Sequence, residues 1–221
     1  DLYIANDKID TQNLLYKNNG NGTFTEVGEE TGTNISMDGM STTIGDYNED
    51  GWLDIYVTNT IAGNVFLKNN GDGTFTAVAS TKGTLFESAA WGAVFLDAEN
   101  DTDLDLYVSG ELDGSTSFLP SAFYENNGNG NFSIPMSAGF ENDTARSFSN
   151  AIGDINNDGY PDITVLNYEP DDIFVWNNIS DHNNNWLKVK LEGVISNRQG
   201  IGSWIEISID GNKQYRYTLC G

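Results

Sequence analysis

This sequence predicts an all-β fold assembled from short four-stranded antiparallel units, the arithmetic of β-propeller blades, with a small β segment at the C-terminal end. Three observations predict it. GDYNEDGWLDIYVTN (45–59) recurs as LDAENDTDLDLYVSG (96–110) and GDINNDGYPDITVLN (153–167). A second motif, LLYKNNGNGTFTEV (14–27), recurs as VFLKNNGDGTFTAV (65–78), AFYENNGNGNFSIP (122–135) and a degenerate IFVWNNIS (173–180). Between them the apolar residues alternate with period two and the turns are Asn-Gly and Asp-Gly, with no sustained helical periodicity.

The register between copies is tight. From the first Asn of each Asn-Asn pair to the first Asp of the next loop is 28 residues in each case: Asn18 to Asp46, Asn69 to Asp97, Asn126 to Asp154. Within a unit, Asp46 to Asn69 and Asp154 to Asn177 are both 23, and the middle unit is longer by six, in 110–122. Each unit opens with a strand in which Met40, Trp91 or Phe148 lies six residues before the first Asp and Ile44, Phe95 or Ile152 two before it. Even spacing places each pair on one strand face. After the Asp-rich loop come a β-rich run, a third strand and a tight hairpin into a fourth. The expected layout is a partial blade at 1–28, blades at about 38–79, 89–135 and 147–180 within a repeat region 1–182, and a separate segment at 183–221. An arc of four-stranded sheets has open edges, so further blades, or self-association through those edges, are expected.

Composition narrows the function. The net charge is −23, from 33 Asp+Glu against 10 Lys+Arg, which argues against nucleic acid or an anionic membrane as partner. Cys220 is the only cysteine, so no internal disulfide forms. No apolar run is long enough to span a membrane. The chain starts at Asp1-Leu2-Tyr3 inside a repeat and stops at Cys220-Gly221, so it reads as a fragment.

The Asp-rich loops carry the chemistry. Oxygen-bearing groups at loop positions 1, 3, 5, 7 and 9 can wrap a hard cation such as Ca²⁺. The first loop offers Asp46, Asn48, Asp50, the Trp52 carbonyl and Asp54; the third offers Asp154, Asn156, Asp158, the Tyr160 carbonyl and Asp162. Gly51 and Gly159 supply the sharp turn. The middle loop offers Asp97, Glu99, Asp101, the Asp103 carbonyl and Asp105, with Thr102 in place of the glycine, so its turn geometry is expected to differ. Position 12 is Val57, Val108 or Val165, and the flanks are β, which excludes an EF-hand. The alternative is a hydrated Asx-rich turn. Oxygen-only donors disfavour zinc and copper.

These loops, with the NNGDGTF turn that follows, resemble the FG-GAP/VCBS repeat of integrin α-chain-like β-propellers. TTIGDYN and NAIGDIN stand where that family's Phe-Gly and Gly-Ala-Pro pairs are named. The resemblance implies Ca²⁺ in each loop and a secreted or cell-surface protein acting in adhesion or in binding an extracellular protein or polysaccharide. Residues 183–221 resemble the start of an ASPIC/UnbV domain through Trp186, Leu187, Leu191, Gly193, Ser196, Asn197, Arg198, Gly200 and Gly202. Two or three more strands are expected there.

Two other classes stand beside the binding protein: a glycan-active hydrolase or lyase, and a structural surface subunit. Against an enzyme, nearly all clustered carboxylates fall in the repeated loops, whereas a catalytic pair is expected once and out of register. Glu111 and Asp113 are the out-of-register acids and read as loop surface. His182 is the only histidine, and no Gly-x-Ser-x-Gly is present. No catalytic residue is therefore assigned.

Overall fold

The computed structural model describes residues 1–111, 119–181, 184–195 and 197–218. Asp113, His182, Ser196 and Cys220, singled out above, lie outside the described residues. The chain is all-β, built of small antiparallel sheets of two to four strands.

The first sheet has three strands, β1 (Leu2–Ile4), β3 (Leu14–Asn18) and β4 (Phe24–Glu26); β2 (Asp7–Gln12) instead pairs with β5 (Ser36–Asp38). One helical turn, α1 (Gly28–Thr31), leads onward. The second sheet runs in order β6 (Thr42–Gly45), β7 (Asp54–Val57), β8 (Val65–Asn69) and β9 (Phe75–Ala77), followed by the turn α2 (Ala79–Lys82). The third is β10 (Ala89–Leu96), β11 (Asp105–Glu111), β12 (Ser121–Asn126) and β13 (Phe132–Ser133). The fourth comprises β14 (Ser147–Gly153), β15 (Asp162–Asn167) and β16 (Phe174–Trp176), and a hairpin of β17 (Trp204–Ile209) and β18 (Asn212–Tyr217) follows. In the second, third and fourth sheets strands adjacent in sequence pair, and the first strands β6, β10 and β14 lie side by side. Among the described residues no helix is long and apolar enough to cross a membrane.

The core lies between sheets. Met37, Ile55, Val57 and Leu67 pack toward Tyr3 of the first sheet. Tyr47, Tyr56 and Phe66 of the second pack on Phe95, Leu106, Val108 and Phe132 of the third. Leu96, Tyr107 and Phe123 of the third pack on Ile163 and Val165 of the fourth. A sheet covered on both faces buries both sides of its second strand, which is why IYV (55–57) and LYV (106–108) are apolar without alternation.

One strand face departs from the even spacing. The pairing of β10 with β11 shifts between Ala90 and Gly92, and that of β14 with β15 between Ser147 and Ser149, so Trp91 and Phe148 are the extra residues of β-bulges. Phe95 therefore packs toward the second sheet, while the Trp91 ring meets Phe148 of the fourth with centroids 6.0 Å apart.

Phe66 is the centre of the largest cluster, fully buried against Tyr47 (4.6 Å between ring centroids), Tyr56 (5.5 Å), Phe95 (5.9 Å) and Phe132 (6.1 Å). Phe66→Ala is expected to cost about 3–5 kcal/mol. Equilibrium urea unfolding measures it, and a loss below about 1 kcal/mol would contradict a core shared by two sheets.

Candidate metal centres in the acidic loops

Each loop links the first strand of its sheet to the second, and all three adopt one backbone path. Position 4 is left-handed at Glu49, Asn100 and Asn157 (φ 54°, 53° and 61°). Position 6 is left-handed too, at Gly51, Thr102 and Gly159 (φ 86°, 94° and 94°). The turn expected to differ in the middle loop is therefore retained, with Thr102 carrying a conformation that β-branched residues rarely adopt. In all three the position-1 carboxylate holds the turn by accepting the position-6 N–H: Gly51 to Asp46 at 2.9 Å, Thr102 to Asp97 at 3.2 Å and Gly159 to Asp154 at 3.2 Å. The position-5 carboxylate accepts the position-7 N–H, from Trp52 to Asp50, Asp103 to Asp101 and Tyr160 to Asp158. At position 3, Asn48 and Asn156 donate their amides to Asp50 and Asp158 at 3.0 and 2.7 Å.

The position-9 aspartates do something the sequence pattern did not reveal. Asp54, Asp105 and Asp162 are almost wholly buried, and each accepts two backbone N–H groups. One oxygen takes the position-2 N–H of its own loop, from Tyr47, Ala98 or Ile155 (3.4, 3.0 and 2.8 Å). The other takes an asparagine N–H from the third strand or just beyond it: Asn69 (2.8 Å), Asn126 (2.9 Å) or Asn178 (2.8 Å). Asp1 and Asn18 repeat that bond at 2.8 Å in the first sheet.

The asparagine side chain completes the clasp. Asn126 Nδ2 donates to Leu104 O and, across to the neighbouring sheet, to Tyr47 O at 2.9 Å. Asn178 Nδ2 likewise reaches Pro161 O and Ala98 O of the preceding loop, the latter at 2.8 Å. In the fourth sheet this role falls to Asn178, one residue later than the Asn177 that equal spacing picks. The strand pairing explains the shift: Val57 opposes Val65, eight residues on, whereas Val165 opposes Phe174, nine on.

The loops are short of positive charge. Burial, helped by the charge of Asp50, pushes the Asp46 carboxyl up to about 6 and Asp54 up to about 7. In the middle loop burial raises Asp105, with Glu99 adding to it, and raises Asp103, with Asp101 adding to it. Asp97 is raised by burial against the opposing pull of Arg216. Three buried carboxylate oxygens, Glu49 Oε1, Asp103 Oδ1 and Asp154 Oδ1, have no hydrogen-bond partner. Glu49 and the Asp103 side chain were thus absent from the expected donor set, in which Asp103 counted only through its carbonyl. Among the described residues no three acidic, His or Cys side chains converge closely enough to hold an ion alone, so amide and carbonyl oxygens would have to complete a shell. An oxygen-only donor set that includes orphaned carboxylate oxygens fits a hard divalent cation.

The C-terminal segment lies over these loops. Trp186 packs directly on Gly159, Tyr215 stands over Gly51, and Asn184 Nδ2 donates to Glu99 O at 3.0 Å. Lys188 pairs with Asp154 at 3.3 Å and Arg216 with Asp97 at 3.1 Å. A cavity of about 920 Å³ lies between the segment and the middle and third loops. The Asn197 to Gly202 stretch is a tight turn: Asn197 accepts the Ile201 N–H at 2.7 Å, and Gly200 and Gly202 are left-handed (φ 67° and 83°). Among the described residues the segment forms two strands, at the lower end of the two or three expected. Of the out-of-register acids, Glu111 accepts the Trp91 indole N–H at 3.4 Å and pairs with Arg146 at 3.4 Å, so it ties the third and fourth sheets together.

Three stretches of the chain, residues 1–57, 46–108 and 113–165, match the family model described as an FG-GAP-like repeat. No match is found among curated proteins. Among solved structures the chain is similar to one reported for the specific recognition of non-reducing terminal N-acetylglucosamine by an Agrocybe aegerita lectin. The identity is 20% and the TM-score 0.41, over 76% of this chain and 47% of that one.

Two outcomes are expected. Asn126→Ala removes both sheet-to-sheet and turn bonds of a buried amide and should cost roughly 1–3 kcal/mol, against about 0.5 kcal/mol or less for the exposed neighbour Asn127→Ala. Equal losses in urea titrations would refute the clasp. Thr102→Gly should raise stability by about 1 kcal/mol by relieving the left-handed strain, and a lower unfolding midpoint would refute it.

Proposed function

The chain belongs to the FG-GAP-like repeat family, and on that premise we propose that it is a calcium-stabilised, extracellular binding protein whose sheets are consecutive blades of a propeller. FG-GAP repeats are typical of extracellular proteins. The observation that carries the calcium reading is a pair of features: one backbone path held three times over, and, in the first and third loops, the buried carboxylate oxygens Glu49 Oε1 and Asp154 Oδ1 left without partners. A cation of high charge density would draw those oxygens together and favour the ionised forms of Asp46 and Asp54, whose pKa values burial raises. The first and third loops carry the full donor pattern, Asp46, Asn48, Asp50, Trp52 and Asp54, and Asp154, Asn156, Asp158, Tyr160 and Asp162.

The role proposed is recognition of an extracellular protein or polysaccharide, in adhesion or surface binding, rather than catalysis. The acidic side chains on which glycan cleavage would depend are engaged in holding the loops and in the sheet-to-sheet clasp. The ASPIC/UnbV likeness of the C-terminal segment belongs to the same proposal. Its Asn197-Arg198-x-Gly200-x-Gly202 pattern lies in a tight turn.

Calcium and protons should compete. With metal removed, folded Asp46 and Asp54 still hold protons that the unfolded chain has released above its ordinary carboxyl pKa of about 4. These groups therefore make the metal-free fold lose stability as pH rises from about 4 through about 7. Bound Ca²⁺ needs the ionised form, so its stabilisation grows over the same window. The melting temperature in Ca²⁺ minus that in chelator should be larger at pH 7.5 than at pH 5. Identical melts with and without chelator at pH 7.5 would sink the calcium reading.

A further inference from the structure

The three loops are not equivalent in the positive charge that the chain itself brings to them. At the first loop Lys68 reaches only Asp50, at 3.7 Å, and among the described residues no side-chain cation pairs with Asp46. At the third, Lys188 touches Asp154 Oδ2 at 3.3 Å from a side chain that is 62% exposed, and Asp154 Oδ1 stays without a partner. The middle loop is filled differently. Arg216, from β18, donates Nη2 to Asp97 Oδ2 and to the Thr102 carbonyl, both at 3.1 Å, while Nη1 is held by the Tyr215 carbonyl at 2.9 Å. With the Asp101 and Thr102 N–H groups also bound, both oxygens of Asp97 are occupied. A guanidinium cannot lose its proton at any physiological pH, and its planar fork lets one nitrogen bridge a side chain and a main-chain carbonyl. The same loop is the one with Thr102 in place of glycine.

We propose that Arg216 is the resident cation of the middle loop. That loop does not take calcium, and its position-1 carboxylate serves as the anchor that fixes the C-terminal hairpin onto the repeats. The inference rests on the calcium reading of the other two loops. It gives the middle loop a separate task, to hold the hairpin in place whether or not calcium is present.

Equilibrium dialysis against ⁴⁵Ca²⁺ at saturation, on the full 221-residue chain, tests it. The chain should bind two ions and Arg216→Gln three, because removing the guanidinium frees the Asp97 carboxylate it now occupies. Hydrogen exchange over Trp204–Tyr217 supplies a second reading. Protection should be unchanged by chelator in the parent chain and should fall at least tenfold in Arg216→Gln and in Asp97→Asn, with Asp97→Asn still binding two ions. Three ions on the parent chain, two on Arg216→Gln, or an ion lost in Asp97→Asn would each overturn the assignment while leaving calcium at the other loops intact. No ion bound to the parent chain would remove the calcium reading itself, and the inference with it.

Discussion

A buried carboxylate that accepts two backbone N–H groups from different strands organises everything else in this chain. Asp54, Asp105 and Asp162 sit at the start of their sheets' second strands, and each ties the entry of its own acidic loop to the turn that ends the third strand. Burying such a charge without those donors would cost several kcal/mol, so loop and hairpin must close together. In the third and fourth sheets the asparagine that supplies one donor, Asn126 or Asn178, also supplies an amide to the loop of the preceding sheet. The closure of one sheet thus sets the position of its neighbour, and the apolar side chains between sheets pack onto a spacing already defined by hydrogen bonds.

That arrangement concentrates negative charge. A chain at −23 gathers its carboxylates at one end of each sheet, where burial raises the pKa values of Asp46 and Asp54 and cationic side chains are drawn in. Lys188 and Arg216 come from the one stretch of sequence in which basic residues cluster. The C-terminal segment is therefore charge-matched to the loops it covers, and Trp186 and Tyr215 seat it where glycine leaves room for a ring.

Much of this was legible from residues alone, because the repeat is written in side chains that make local contacts. Period-two alternation and Asn-Gly turns placed the strands, and loop spacing placed Asp46, Asp97 and Asp154 at equivalent points. What was not legible depended on pairing between segments. The bulges at Trp91 and Phe148 add a residue to one strand only, which spacing along that strand does not reveal. The passage of the clasp from Asn177 to Asn178 follows from one extra residue between the closing strand pairs, Val165 with Phe174 against Val57 with Val65. Thr102 holds a left-handed turn because five surrounding bonds require it, although its own preference is against it. Arg216 lies 119 residues from Asp97, and no local pattern announces such a partner.

The antiparallel order of the strands gives each sheet two unlike rims. Acidic loops and Asn-Gly hairpins share one rim, and there the clasp allows no change of length. The opposite rim holds the connections 58–64 and 168–173, which differ in length while the strands on either side stay paired. One rim is a chassis and the other a place where sequence can be exchanged at little structural consequence. New specificity is accordingly easiest to acquire on the rim away from the acidic loops, and the scaffold is suited to carry engineered insertions there.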